Sequence, residues 1–190
     1  ILLNQIHSSK FYYIDKKTKF VKKKFSGDAI ITNKKNIPLG VLTADCAPIL
    51  IHDQKNKMVA AIHAGWKGAY RGVIKNVIKF MLKKGCDTET MTAVIGPCIS
   101  TKNYQVKQDF IKKILKKDKK NKIFFKKIKN KTYFNLNSYI YSQLKSLNIK
   151  NIEIINKDTF NEKNNFFSAR RSIGRNENDY GRNISIIMIN

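Results

Sequence analysis

Cysteine, proline, histidine and arginine are all scarce in this sequence of 190 residues, and long apolar runs are missing altogether. Three cysteines, Cys46, Cys86 and Cys98, form an odd set without a C-x-x-C pair. That excludes a disulfide framework and points to a reducing, cytoplasmic setting. The longest apolar stretches, Gly40–Ala44 and Ile184–Ile189, are far too short to span a bilayer, so no membrane partner is expected. Acidic residues number 13 against 38 basic ones, giving a formal charge of +25. Only Arg71, Arg170, Arg171, Arg175 and Arg182 of those 38 are arginines. A reader of nucleic acid leans on arginine for bidentate contacts, whereas lysine accompanied by abundant Asn and Ile reflects AT-rich coding. Nucleic acid is therefore not the expected partner, and the lysines are read as a solvated surface.

What is present is enough apolar content, 42 % of residues, for one domain with its own core. Strand-like runs occur at Ala29–Thr32, Leu39–Thr43, Pro48–Ile51 and Met58–His63. Val73, Ile74, Val77, Ile78 and Met81 recur at helical spacing and predict a helix over Tyr70–Lys84, stopped by Gly85. Met91–Ile95 reads as a strand ending at the Gly96-Pro97 break, and Asp109–Lys117 as a short amphipathic helix. The lysine-rich stretch Lys116–Lys131, interrupted by Ile123-Phe124-Phe125, reads as a mobile connection around one strand. A helix over Asn135–Leu147, strands at Ile152–Ile155 and Ile184–Ile189, and a basic loop from Arg170 to Arg182 complete a single mixed α/β domain over residues 1–190.

Three clusters carry the chemistry: Asn4-Gln5-Ile6-His7-Ser8, Leu42-Thr43-Ala44-Asp45-Cys46-Ala47-Pro48, and Ala60-Ala61-Ile62-His63-Ala64-Gly65-Trp66-Lys67-Gly68. Cys46 lies at a strand break and His63 at a strand end, where side chains converge on a rim while the sheet holds them. Gly65 and Gly68 allow close backbone approach and open a helix. Each residue alone also has a plain structural reading: a buried thiol, a hydrogen-bonded histidine. Spacing alone does not join the three into one site.

Gln-x-His, Ala-Asp-Cys-x-Pro and His-Ala-Gly-Trp-x-Gly, in that order, resemble the signature of the polyphenol-oxidase/laccase-domain family of purine nucleoside phosphorylases. Supporting matches are Gly27–Thr32, Gly96-Pro97-x-Ile99 with Tyr104, Phe166-Phe167-Ser168-x-Arg170-Arg171, and Gly181-Arg182. The resemblance implies a four-layer α/β/β/α sandwich with mixed sheets, and a further N-terminal segment ahead of Ile1. It implies His7, Cys46 and His63 as metal ligands, with Cys46, Asp45 and Arg171 as candidate catalytic residues. Gln5, Arg170 and Trp66 are the candidates for holding substrate. Plainer alternatives stay open: surface arginines at Arg170 and Arg171, a turn cap at Asp45, core packing at Trp66.

Two imidazoles and a thiolate suit Zn²⁺, with Cu²⁺ as a possible substitute, and three protein ligands leave a position free for reaction. The activity implied is phosphorolysis of adenosine, inosine, guanosine and methylthioadenosine, with purine nucleoside and phosphate as partners and adenosine deamination alongside. Copper oxidation of phenols does not follow from the family's older name, because His7, His52 and His63 are the whole histidine inventory. The H-x-E and P-C-x-x-C pattern of nucleobase deaminases is absent as well. Gln105, Asn135, Asp158 and Ser172 depart from the family's usual residues. Competing readings are a Cys–His hydrolase built on Cys46 and His63, one that edits a peptidoglycan precursor among them, and a non-catalytic polyanion-binding module.

Overall fold

Short strands buried on both faces build the centre of the molecule. The computed structural model describes residues 1–15, 18 and 25–190. In chain order its strands are β1 (Phe11–Ile14), β2 (Ala29–Thr32), β3 (Leu39–Thr43), β4 (Ala47–Asp53), β5 (Met58–Ala64), β6 (Met91–Ile95), β7 (Gln105–Val106), β8 (Phe125–Ile128), β9 (Lys131–Phe134), β10 (Asn151–Ile154) and β11 (Asn183–Ile187). The helices are α1 (Trp66–Arg71), α2 (Val73–Lys83), α3 (Gln108–Lys117), α4 (Leu136–Ser146) and α5 (Ala169–Gly174).

Six strands form one mixed sheet in the order β1-β2-β5-β4-β6-β10, parallel at both edges and antiparallel in the middle. Side chains two residues apart share a face. Ile31, Ile49, Ile51, Ala60, Ile62 and Ile95 thus point together toward the helices. There they meet Val73, Ile74, Val77, Ile78 and Met81 of α2 and Leu136, Ile140 and Leu144 of α4. Each such side chain buried completely contributes about 1.5–3 kcal/mol. The intervening residues Ile30, Val59 and Ala61 face Leu39 and Val41 of β3, which pairs with β11 in a second sheet. Covered on both sides, β5 is buried at every position. The mixed α/β architecture is as expected. The described residues build three of the layers, in the order α/β/β, and Ile184 and Ile186 are each 53 % exposed on the outer sheet. No helix among the described residues is long and apolar enough to cross a membrane.

Some expectations change. The helix foreseen over Tyr70–Lys84 is two helices, because Gly72 takes φ +90° and its amide closes α1 on the carbonyls of Gly68 and Ala69. Trp66 thereby becomes the first residue of a helix. The Lys116–Lys131 stretch is ordered: a 3₁₀ turn over Lys119–Phe124 leads into a β8–β9 hairpin, with β7 on its other edge. Phe124 and Phe134 account for this, being buried among Phe110, Phe125 and Tyr139. The loop expected from Arg170 begins instead as helix α5, whose Arg171 amide is capped by the Ser168 hydroxyl. Strands β1 and β7 carried no clear sequence signal.

Candidate metal centre

Asp28, immediately before β2, has no exposed surface and organises the site. Its Oδ1 accepts from the His7 amide at 2.9 Å and from His63 Nδ1 at 2.9 Å. Its Oδ2 accepts from the Ser8 amide at 2.5 Å and the Ser8 hydroxyl at 2.7 Å. Burial works against this carboxylate, but the hydrogen bonds from His63 and Ser8 outweigh it and hold the group down at about 2. The same contacts fix His7, whose left-handed φ of 55° costs a non-glycine residue about 1–2 kcal/mol. Arg71, the last residue of α1, donates to the His7 carbonyl at 2.6 Å and pins the turn from the other side.

Cys46 follows Asp45 in the break between β3 and β4, and Asp45 is itself left-handed at φ 82°. The Asp45 carboxylate accepts from the Thr159 hydroxyl at 2.8 Å and from the Arg170 amide at 2.6 Å. The cysteine turn is thereby tied to the start of α5. His63 lies one residue from the end of β5, on the face turned away from the helices. With Nδ1 committed to Asp28, its Nε2 is the nitrogen left for the centre.

The ligand atoms of His7, Cys46 and His63 all lie within 4.8 Å of one another. Cys46 Sγ stands 3.8 Å from His7 Nε2, and the two imidazoles meet edge to face at 4.8 Å. Gly65 makes the convergence possible, since a Cβ there would sit 2.6 Å from Cys46 Sγ. Burial raises the thiol's pKa, but hydrogen bonds from His63 and His7 bring it down to about 7. Burial likewise lowers that of His63, but Asp28 and then Cys46 raise it to about 9. Two imidazoles and a readily formed thiolate make a donor set compatible with metal binding.

The centre lies where two clefts meet. One, of about 650 Å³, is lined by Asn4, Gln5, Ser26 and Arg182; the other, of about 280 Å³, by Asp45, Trp66, Tyr104 and Arg170. His7, Cys46 and Tyr180 line both. Trp66 packs edge-on against Phe110 at 4.7 Å and presents the rest of its ring to the smaller cleft. Arg170 stacks over Tyr104 at 5.6 Å while donating to the Gln105 carbonyl.

Other expected residues are engaged elsewhere. Gln5 borders the larger cleft, but its amide pairs with Leu42 like a short strand, donating to the carbonyl at 2.6 Å and accepting from the amide at 2.8 Å. Arg171 lines neither cleft at the centre; its guanidinium donates to the carbonyls of Thr159, Phe160 and Phe166 and clamps the preceding loop. These bonds hold the loop in place. Asn135 caps α4 through the Ser138 amide, and Asp158 gathers Ser100, Asn103 and Phe160. Sequence reasoning gave no role to Asp28, Ser8, Tyr180 and Arg182, whereas it had marked Gly65 for close backbone approach. An acid standing directly before a wholly apolar strand was the available signal for Asp28.

Comparison with known proteins agrees with the geometry. The family described as multi-copper polyphenol oxidoreductase laccase matches over residues 1–190. A purine nucleoside phosphorylase of Rickettsia conorii is 36 % identical over 97 % of this chain and 75 % of its own length. One from Haemophilus influenzae is 35 % identical over 98 % of the chain and 73 % of its own length. Among solved structures, the Bacillus licheniformis hypothetical protein YfiH superposes with a TM-score of 0.89 at 26 % identity, covering all of this chain and 74 % of the other. A Neisseria meningitidis protein gives 0.86 at 29 %, with the same coverage. With the whole described site inside the matched span, the chain belongs to the multi-copper polyphenol oxidoreductase laccase family.

Proposed function

We propose that this chain is a zinc-dependent purine nucleoside phosphorylase that also deaminates adenosine, acting in the cytoplasm. The observation that carries the reading is the convergence of His7, Cys46 and His63 at the junction of an aromatic cleft and a polar one. The names of the relatives supply the reaction class. Zinc, held by those three side chains, would supply a Lewis acid and an activated water, and Cu²⁺ suits the same donors.

The remaining chemistry belongs to the protein. Trp66, Tyr104 and Tyr180 offer flat faces to a purine, and Arg170 and Arg182 offer cations to phosphate and ribose. Burial first, and then the neighbouring Cys46 charge, push the Tyr104 phenol well above its ordinary range, so it stays a hydrogen-bond donor at neutral pH. In phosphorolysis a phosphate oxygen bonds to the ribose anomeric carbon as the glycosidic bond breaks and the departing purine takes up a proton. Asp45, through Thr159 and the Arg170 amide, holds the cysteine turn and the arginine in register, a positioning role.

The test is chromatography of adenosine incubated with phosphate and zinc-loaded protein, with Cys46→Ala as control. Adenine and ribose 1-phosphate, absent with the variant, are expected, and inosine reports the deamination. An unchanged adenosine peak would overturn the reading.

One observation favours a second reading. A thiol near 7 facing an imidazole near 9, itself backed by Asp28, is also the arrangement of a Cys–His hydrolase. The two separate on chelation: the hydrolase would work without metal and lose activity to iodoacetamide, whereas zinc on the thiolate protects it.

A further inference from the structure

Lysine is not spread evenly over this molecule. From Lys112 to Lys131 the chain carries eleven lysines against one acid, Asp118. Folding gathers them on one appendage: the end of α3, the 3₁₀ turn and the β8–β9 hairpin. Among the described residues no ion pair neutralises any of them.

The appendage has an inner and an outer side. Phe125 and Phe134 pair across the hairpin and turn inward onto Phe110, their rings 5.0–6.1 Å from it or each other. Period-two alternation sends Lys126 and Ile128 to the opposite face, beside their cross-strand partners Tyr133 and Lys131. Ile128 is 41 % exposed there. Ile123, in the turn directly after Lys122, is 73 % exposed, more than any other large apolar side chain described. Aliphatic groups have thus been left in water in the midst of uncompensated positive charge.

We propose that this face docks on an anionic lipid bilayer. Ile123 and Ile128 enter the headgroup region, while Lys122, Lys126 and Lys131 lay their stems along them and carry their ammonium groups to lipid phosphates. Charge complementarity selects an anionic surface, and the exposed aliphatic groups select lipid over nucleic acid. A single strand is held by several outward aromatic platforms and arginine, but here the phenylalanines point inward, Tyr133 is the one hairpin aromatic on the outer face, and the appendage has no arginine. Phe110 of α3 also packs on Trp66, so the docked surface lies beside the smaller cleft.

Sedimentation of the whole chain with phosphatidylglycerol-containing vesicles tests this, against pure phosphatidylcholine vesicles and single-stranded DNA. Binding to the anionic vesicles alone is expected, falling as salt rises. Lys122→Gln/Lys126→Gln/Lys131→Gln should weaken it about a hundredfold, at about fivefold per lysine. Ile123→Asn should weaken it too, which purely electrostatic adhesion would not predict, since the charge is unchanged. Lys35→Gln/Lys55→Gln/Lys57→Gln removes the same charge elsewhere and should leave binding intact. Equal loss in both triple variants would show only general basicity and overturn the proposal. So would equal binding to neutral vesicles, no binding, or tighter retention on DNA at the same salt.

Discussion

Asp28 and Asp53 are both fully buried, and they stand at opposite ends of the central sheet. Each carboxylate is saturated. Asp53 accepts from the Asn56 amide and side chain, the Asp87 amide and the Thr90 hydroxyl. Burial raises its pKa, yet the hydrogen bonds from Asn56 and Asp87 leave it below the ordinary value. The difference lies in one partner. Asp53 meets amides, a hydroxyl and the Cys86 thiol, which burial and this carboxylate keep protonated, and so staples the β4–β5 turn to the loop before β6. Asp28 meets a histidine whose far nitrogen faces a thiol, so the same bonding fixes a donor set. A buried acid acquires a chemical role only when something it orients can bind or react.

The comparison breaks most visibly at the ligands themselves. If the centre holds zinc as proposed, Cys46→Ala should abolish its tight retention after dialysis, as read by metal content, and the proposed turnover with it. Asp28→Asn keeps the shape but loses the charge behind His63, so zinc affinity should fall about 10–100-fold in competition with a chromophoric chelator. Gly65→Ala should also weaken zinc, because its added carbon, 2.6 Å from where Cys46 Sγ stands, displaces that ligand. Asp53→Asn should leave zinc affinity untouched and cost about 1–3 kcal/mol in a denaturant titration. Equal loss of zinc affinity in the two aspartate variants would erase the distinction drawn here.

Proton linkage sharpens the contrast in metal-free protein. Both carboxylates are depressed, so their contributions are complete above about pH 3.9 and are lost as pH falls through the folded values, about 2 for Asp28. His63 is raised to about 9, so its contribution is complete below about pH 6.5 and is lost as pH rises through 9. Cys46, held down at about 7, adds stability as pH rises over nearly the same interval and offsets this loss, so thermal midpoints across pH should show an alkaline limb in Cys46→Ala that the double variant His63→Gln/Cys46→Ala loses.

Much of this was legible beforehand. The runs that became β2, β3 and β5 were readable because strands buried on both faces are almost wholly apolar, and β6 because it stops sharply at Gly96-Pro97. The ligands His7, Cys46 and His63 were named through motif resemblance, since no local pattern links residues so far apart. Asp28 went unassigned because its burial depends on the 6–9 turn folding over it. The Lys116–Lys131 stretch was misread because its charge dominates the sequence, while the buried aromatics that order it lie partly outside, at Phe110 and Phe134.

Composition and pattern alone thus settled the strand-rich mixed class and the α2 face, both of which rest on interactions local in sequence. Tertiary structure decided which polar groups meet. It placed Asp28 under both histidines, turned Arg171 into a loop clamp, gave Tyr180 to both clefts and gathered the lysines of 112–131 on one appendage. Such contacts depend on sheet register and chain reversal, which bring residues 20 to 125 positions apart within hydrogen-bonding distance, and no local periodicity encodes them.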